Sequence, residues 1–65
     1  MTSERASLDS AATTIDELVA RIGAAAEHHE DLGEVDAANG LYDVERSLRA
    51  AHRRLLDVVS RLERD

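Results

Sequence analysis

Four leucines recur at intervals of seven residues in the second half of this chain, and this spacing constrains the fold more than any other feature. They are Leu41, Leu48, Leu55 and Leu62, and Val44, Ala51 and Val58 lie between them. Apolar residues at alternating intervals of three and four occupy one side of an α-helix and are typical of helices that pair with other helices. The pattern predicts a helix over about residues 37–64, with this stripe facing a second helix.

A matching stripe runs through the first half of the chain. Its members have the same alternating spacing and are Leu8, Ala11, Ile15, Leu18, Ile22, Ala25, His29 and Leu32. The stripe predicts a helix over about residues 7–32, with Ser3 or Ser7 as a candidate N-cap. Thr14 and Glu17 form a capping box that would begin a shorter helix, and this alternative stays open.

The two predicted helices are joined at Gly33. Glycine is the preferred residue where a helix ends in a left-handed conformation, and Asp36 suits the N-cap of the helix that follows. These assignments predict a tight turn at about residues 33–36. The alternative is a looser loop over residues 33–38, with Asn39 as the N-cap.

The segment containing Leu32, Gly33, Ala38 and Tyr42 resembles the inter-helix turn of a tetratricopeptide unit. The resemblance is confined to this segment and implies a tight helix–turn–helix. A short connection makes the two helices antiparallel neighbours.

Two registers bring the stripes together. A tight turn pairs Ala25 with Leu41 and Leu18 with Leu48, whereas a looser loop shifts these pairs by one heptad. In both registers the alanines Ala11 and Ala25 lie opposite leucines, so small residues meet large ones there, as close packing requires. The capping residues favour the tight turn.

The chain has 65 residues and no cysteine. A domain of this size buries only about 60% of the surface of its unfolded chain, and oligomerisation is a common source of the missing stability. Disulfides are excluded by the composition. We therefore expect an all-α fold: a single antiparallel helix–turn–helix hairpin (a two-helix coiled coil) over residues 1–65 that dimerises into a four-helix bundle.

A second apolar strip is predicted beside the leucine stripe. The residues of this strip that we assign to an interface are Ala12, Val19, Ala26, Tyr42, Leu56 and Val59. An exposed apolar strip usually marks a protein–protein contact. The predicted partner is a second hairpin, and a helix of another protein is the alternative. The opposite side of the stripe carries polar residues.

The net charge of −6 is unevenly distributed. Residues 1–32 contain seven acids and two arginines, whereas residues 41–65 contain five acids and six arginines. The overall acidity argues against binding to a nucleic-acid backbone. The sequence shows neither a membrane-spanning run nor a secretory signal, which favours a cytoplasmic protein without membrane contact. Arginine without lysine, together with much alanine, is typical of a GC-rich bacterial genome.

Two clusters are candidates for ligand binding. Arg46, Arg49 and Arg53 share one helix face and could contact an anion or an acidic partner; the alternative is a solvated face with intrahelical ion pairs. His28, His29 and Glu30, within the acidic segment 27–31, are weak candidates for metal ligands, because adjacent histidines point about 100° apart on a helix. We assign no metal and no cofactor.

The sequence shows no nucleophile motif and no glycine-rich phosphate loop, so we do not expect an enzyme. The predicted function is a protein–protein interaction module, a self-associating hairpin that regulates or scaffolds a partner protein. The alternative is a small-ligand or metal sensor, in which a dimer brings together two arginine faces or two copies of the segment 27–31.

Overall fold

The chain folds into two long helices joined by a short turn. The computed structural model describes the backbone of residues 3–64 and the side chains of residues 3–62; Met1, Thr2 and Asp65 of the predicted domain lie outside the described residues. Helix α1 (Glu4–Asp31) and helix α2 (Val35–Arg64) pack against each other. The described part of the chain is therefore an all-α hairpin, as the two stripes predict.

Helix α1 begins at the earlier of the candidate positions. Ser3 is its N-cap, and the Ser3 hydroxyl accepts a hydrogen bond from the backbone N–H of Ala6 at 3.1 Å. The alternative start at Thr14 is not adopted. Its hydroxyl instead donates to the carbonyl of Ser10 at 3.2 Å, which is the bond a threonine makes inside a helix.

The turn is tight and depends on Gly33, whose φ is +79°. The N–H of Gly33 donates to the carbonyl of Glu30 at 3.0 Å, and the N–H of Glu34 donates to the carbonyl of His29 at 2.9 Å. These two bonds form a Schellman motif, which satisfies the last carbonyls of α1. The prediction of Asp36 as N-cap was wrong, because α2 already begins at Val35 and Asp36 lies in its first turn.

The contact between the helices is lined by small residues. Among the residues whose side chains are described, the fully buried ones are all alanine or valine: Ala12, Val19, Ala26, Ala38 and Val59. We call this line of contact the seam. Three of the repeating leucines, Leu41, Leu48 and Leu55, are half-buried along one edge of the seam.

The predicted composition of the seam was therefore wrong in part. Val44 and Val58, expected to face α1, are 45% and 44% exposed, and Ala51 is also exposed. Both helices are rotated by about 70° relative to the predicted stripes, on the basis of 100° per residue. Two helices approach most closely where their side chains are small, and the alanine rows allow that approach better than the leucine stripe does.

Contacts across the seam define the register. The carboxylate of Glu45 lies over Gly23, where an added Cβ would be 2.6 Å from its Oε2 atom. This places Gly23 and Glu45 at the same level along the hairpin. The register agrees with the tight turn to within two residues and is not the one shifted by a heptad.

The hairpin is one helix layer thick. Its Cα atoms extend over 49 × 19 × 10 Å, with a radius of gyration of 15.0 Å. A compact chain of 65 residues has a radius of gyration of about 11 Å. The described residues therefore lack the second layer against which helices usually bury their apolar sides. Neither described helix has an apolar stretch that could cross a membrane.

Candidate interaction surfaces

One side of the hairpin carries a shallow groove between α1 and α2. Its volume is about 360 Å³, and its lining residues are Asp16, Val19, Ala20, Arg49, His52 and Arg53. A second hollow of about 320 Å³ shares Asp16 and His52 and extends towards Leu56. We call the two together the charged groove. It has an apolar floor, an acidic wall from α1 and a basic wall from α2, and it is open to solvent.

Two of the three predicted anion contacts are engaged in ion pairs within α2. Arg46 Nη2 contacts Asp43 Oδ1 at 3.0 Å, and Arg49 Nε contacts Glu45 Oε1 at 3.3 Å. These are the intrahelical pairs of the solvated-face alternative. Arg53 lines the charged groove beside Arg49, and the ion pairs among the described residues do not include it. The predicted arginine face therefore offers Arg53 and part of Arg49 to a ligand.

The candidate metal ligands near the turn point towards different neighbours. The Nδ1 atom of His29 lies 3.0 Å from Oε2 of Glu34, whereas Glu30 Oε1 accepts a hydrogen bond from the hydroxyl of Tyr42 at 3.3 Å. The His28 ring lies edge-on to that of His29, with 5.6 Å between the ring centroids. Among the residues that the structure describes, no three His, Asp or Glu side chains converge on a point that could hold a metal ion.

Tyr42 connects the two helices near the turn. Its ring is half-buried beside α1, and its hydroxyl donates to Glu30 at 3.3 Å. Partial burial raises the pKa of Tyr42, and the negative charge of Glu30 adds to the rise. The assignment of Tyr42 to an interface with a partner stays a prediction; within the hairpin, its hydroxyl bonds to α1.

The predicted interface strip lies largely inside the hairpin. Four of its residues, Ala12, Val19, Ala26 and Val59, are buried in the seam, so their predicted position on an outward surface was wrong. The cause is the rotation of both helices towards these small residues. Leu56 is 43% exposed and lies at the charged groove.

The outward apolar surface lies on the opposite side. We call it the leucine–valine face. In two antiparallel helices, residues displaced from the seam by the same angle and in the same direction around each helix lie on the same side of the hairpin. Residues of both helices therefore contribute to this face. They are Ala11, Leu18, Ala25 and Leu32 of α1 with Val44, Ala51, Val58 and Leu62 of α2. Leu32, Val44, Val58 and Leu62 are 42–58% exposed.

Sequence reasoning identified these residues as helix-pairing positions but assigned them to the internal contact. One signal distinguishes residues of the seam from residues of the outer face. Along a straight α-helix, positions seven residues apart are displaced by about 20° around the helix axis at each heptad. The leucine repeat therefore drifts from the edge of the seam at Leu41 to the outer face at Leu62. The row of small residues at positions 12, 19 and 26 marks the closer approach.

Comparison with known proteins identifies no relative of this chain. The chain matches no protein-family model, no curated protein and no solved structure. A functional interpretation therefore depends on the surfaces of the hairpin itself.

Proposed function

We propose that this chain is a non-enzymatic protein–protein interaction module that pairs with a second copy of itself and scaffolds or regulates a partner protein. In the proposed dimer, the leucine–valine faces of two hairpins meet and form a four-helix bundle. One observation carries the proposal: among the described residues only alanine and valine are fully buried, and four of the six most exposed large apolar residues, Leu32, Val44, Val58 and Leu62, lie on one side.

The exposed area supports a partner of the size of a second copy. A compact monomer of 7.1 kDa exposes about 4,100 Å², whereas the hairpin exposes 4919 Å². The excess is about 800 Å², which is the area that one partner contributes to a standard protein–protein interface. A second hairpin on the leucine–valine face would also supply the missing layer.

The shape of the face favours a copy over an isolated helix. Apolar residues from both α1 and α2 contribute, so the face is two helices wide. A single added helix would rest between α1 and α2 and would cover only the inner edges of the two rows. A second hairpin covers both rows together.

Light scattering after size-exclusion chromatography tests the dimer. We expect a mass of twice 7.1 kDa for the chain and a monomer for Val58→Asp, because a carboxylate would be buried in the contact. Leu56→Asp is the matched control, since Leu56 is equally exposed (43% against 44%) on the opposite side. A folded monomeric wild type, or a dimer disrupted by Leu56→Asp and not by Val58→Asp, would overturn the proposal.

A second candidate function is favoured by the charged groove. Arg49 and Arg53 line one wall of it together with His52, so the groove presents two guanidinium groups to a small anion or an acidic partner. This function is compatible with the dimer, because the groove lies on the side away from the leucine–valine face.

Thermal-shift measurements with inorganic phosphate and with a nucleoside triphosphate test this second candidate. We expect stabilisation that is lost in Arg53→Gln and kept in Arg54→Gln, a neighbouring arginine outside the groove. Equal responses of both variants, or no response to either anion, would remove the anion site.

A further inference from the structure

The levels of the residues on the leucine–valine face indicate how two copies pack. The shared level of Gly23 and Glu45 defines which positions of α1 and α2 lie side by side. By this register, Leu18 lies beside Ala51, Ala25 beside Val44, and Ala11 beside Val58, each to within about one residue or 1.5 Å. At each of these three levels, one helix contributes a large side chain and the other a small one. Between these levels, Ile15 lies near Leu55 and Ile22 near Leu48, and these four residues are half-buried at the edge of the seam.

We infer that α1 of each copy packs over α2 of the other, with the two-fold axis parallel to the helices; this rests on the proposed dimer. Such an axis preserves the level of every residue, so Leu18 meets Ala51 of the partner subunit, and Ala25 meets Val44 of the partner subunit. Large side chains then meet small ones at these three levels of the face, which allows the close packing of a protein interior.

The polar margins of the face support the same arrangement. On α1 the outer margin carries Ser7, Thr14 and Arg21, and on α2 it carries Ser47, Arg54 and Arg61. At equal levels, Thr14 lies beside Arg54, Arg21 beside Ser47, and Ser7 beside Arg61. Each arginine would therefore meet a hydroxyl of the partner subunit and not another arginine.

The alternative symmetry has its axis across the helices. Each helix would then lie over its own copy in the opposite direction, and residues at the level of the axis would meet themselves. With the axis at mid-height, Ala51 would lie opposite Ala51 of the partner subunit. The layers would lose the pairing of large with small residues.

Disulfide formation distinguishes the two arrangements, because the native chain contains no cysteine. Ala25→Cys and Val44→Cys chains are refolded together and oxidised, and the products are identified by mass. In the inferred arrangement these positions face each other, and we expect a disulfide between one chain of each kind. A position and its own copy would be about 14 Å apart on the diagonal of the bundle, beyond the roughly 7 Å that a disulfide spans.

Single variants supply the contrary outcome. A homodimeric disulfide of Ala51→Cys, which lies at mid-height, would indicate the crossed axis and overturn the inference. A second mixed pair, Ala11→Cys with Val58→Cys, repeats the test two heptads away, in case one variant does not fold. Light scattering on the reduced variants separates the proposals: a dimer without the mixed disulfide overturns the arrangement alone, whereas a folded monomer overturns the dimer as well.

Discussion

At the scale of single residues, the end of the hairpin near the turn contains the side-chain bonds that connect α1 to the turn and to α2. His29 contacts Glu34 across the turn, and Tyr42 reaches from α2 to Glu30. Both contacts are polar and partly exposed, so each contributes modestly to stability. The contact of Tyr42 can be followed on its own by absorbance, because the chain contains one tyrosine and neither phenylalanine nor tryptophan.

The titration of Tyr42 provides one prediction. Because the pKa is raised above 10.0 in the folded hairpin, the stabilising effect of this hydroxyl is complete below pH 10 and is lost as the pH rises through the raised pKa. Phenolate absorbance follows the titration of this one residue. We expect Glu30→Gln to lower the pKa only partly, since burial is the larger cause. An unchanged pKa in Glu30→Gln, matching the control Glu17→Gln, would contradict the contact.

The glycines provide a second prediction, with opposite signs at two positions. Gly33→Ala should destabilise the hairpin by about 1 kcal/mol, because an L-residue is strained at φ +79°. Gly40→Ala should stabilise it by about 1 kcal/mol, since Gly40 lies inside α2 and an added Cβ meets nothing within 4 Å. Urea unfolding measures both changes. A stabilising Gly33→Ala would contradict the Schellman turn.

At the scale of the helices, the decisive feature is which row of α1 faces α2. Ala26 is fully buried (0% exposed), Ala25 is half-buried and Ala24 is exposed. These three adjacent alanines therefore lie in three different environments: in the seam, at its edge and on the solvent side. Since they share one residue type, replacements at the three positions differ only in their surroundings.

Leucine substitutions at these alanines provide a third prediction. Ala26→Leu should destabilise the hairpin by about 1–3 kcal/mol, because a larger side chain separates two helices in close contact. Ala24→Leu, the control, should change stability by less than about 0.5 kcal/mol, as expected for a surface position. Circular dichroism during thermal unfolding measures both. A larger loss in Ala25→Leu than in Ala26→Leu would restore the seam predicted from the leucine stripe.

Much of the hairpin was predictable from sequence, for definite reasons. The alternating spacing of apolar residues predicts two helices, and Gly33 predicts the end of the first, because both signals are local. The rotation of the helices was not predicted, since it depends on how closely two particular surfaces approach. Ala12 and Ala26 were recognised as apolar, but size, and not hydrophobicity, brought them into the seam.

The candidate surfaces followed from that rotation. Arg49 and Arg53 lie on one helix face, as their spacing predicts, but their position beside Asp16 depends on the register of the hairpin. The exposure of Val44 and Val58 reverses the predicted assignment of inner and outer stripes. In both cases the helical period predicts which residues share a helix face, but it does not predict what that face packs against.

At the scale of the whole molecule, the hairpin is a single layer of helices. In the proposed dimer, contact with the second copy contributes to the stability of each hairpin. Its Cα atoms extend over only 10 Å in the thinnest direction, less than the roughly 13 Å that two stacked helices require. Folding and association would then be coupled, because burial of the leucine–valine face requires the second chain. Coupling of this kind makes stability depend on protein concentration.

The midpoint of thermal unfolding provides a fourth prediction. We expect it to rise with chain concentration for the wild type and for Leu56→Asp, and to be lower and independent of concentration for Val58→Asp. Circular dichroism over a hundred-fold range of concentration, roughly 2.7 kcal/mol of mass action, is sufficient to detect this. A wild-type midpoint that stays constant over this range would contradict coupled folding.

The tight turn at Gly33 has a consequence for anything attached to the chain. Because α1 and α2 have similar lengths, Ser3 and the last described turn of α2 lie together at the end away from Gly33. In the inferred dimer, an axis parallel to the helices would bring Ser3 and the last described turn of α2 from both copies to one pole and both turns at Gly33 to the other. Two cargoes fused to the copies would then be held side by side, whereas the crossed axis would hold them almost 50 Å apart.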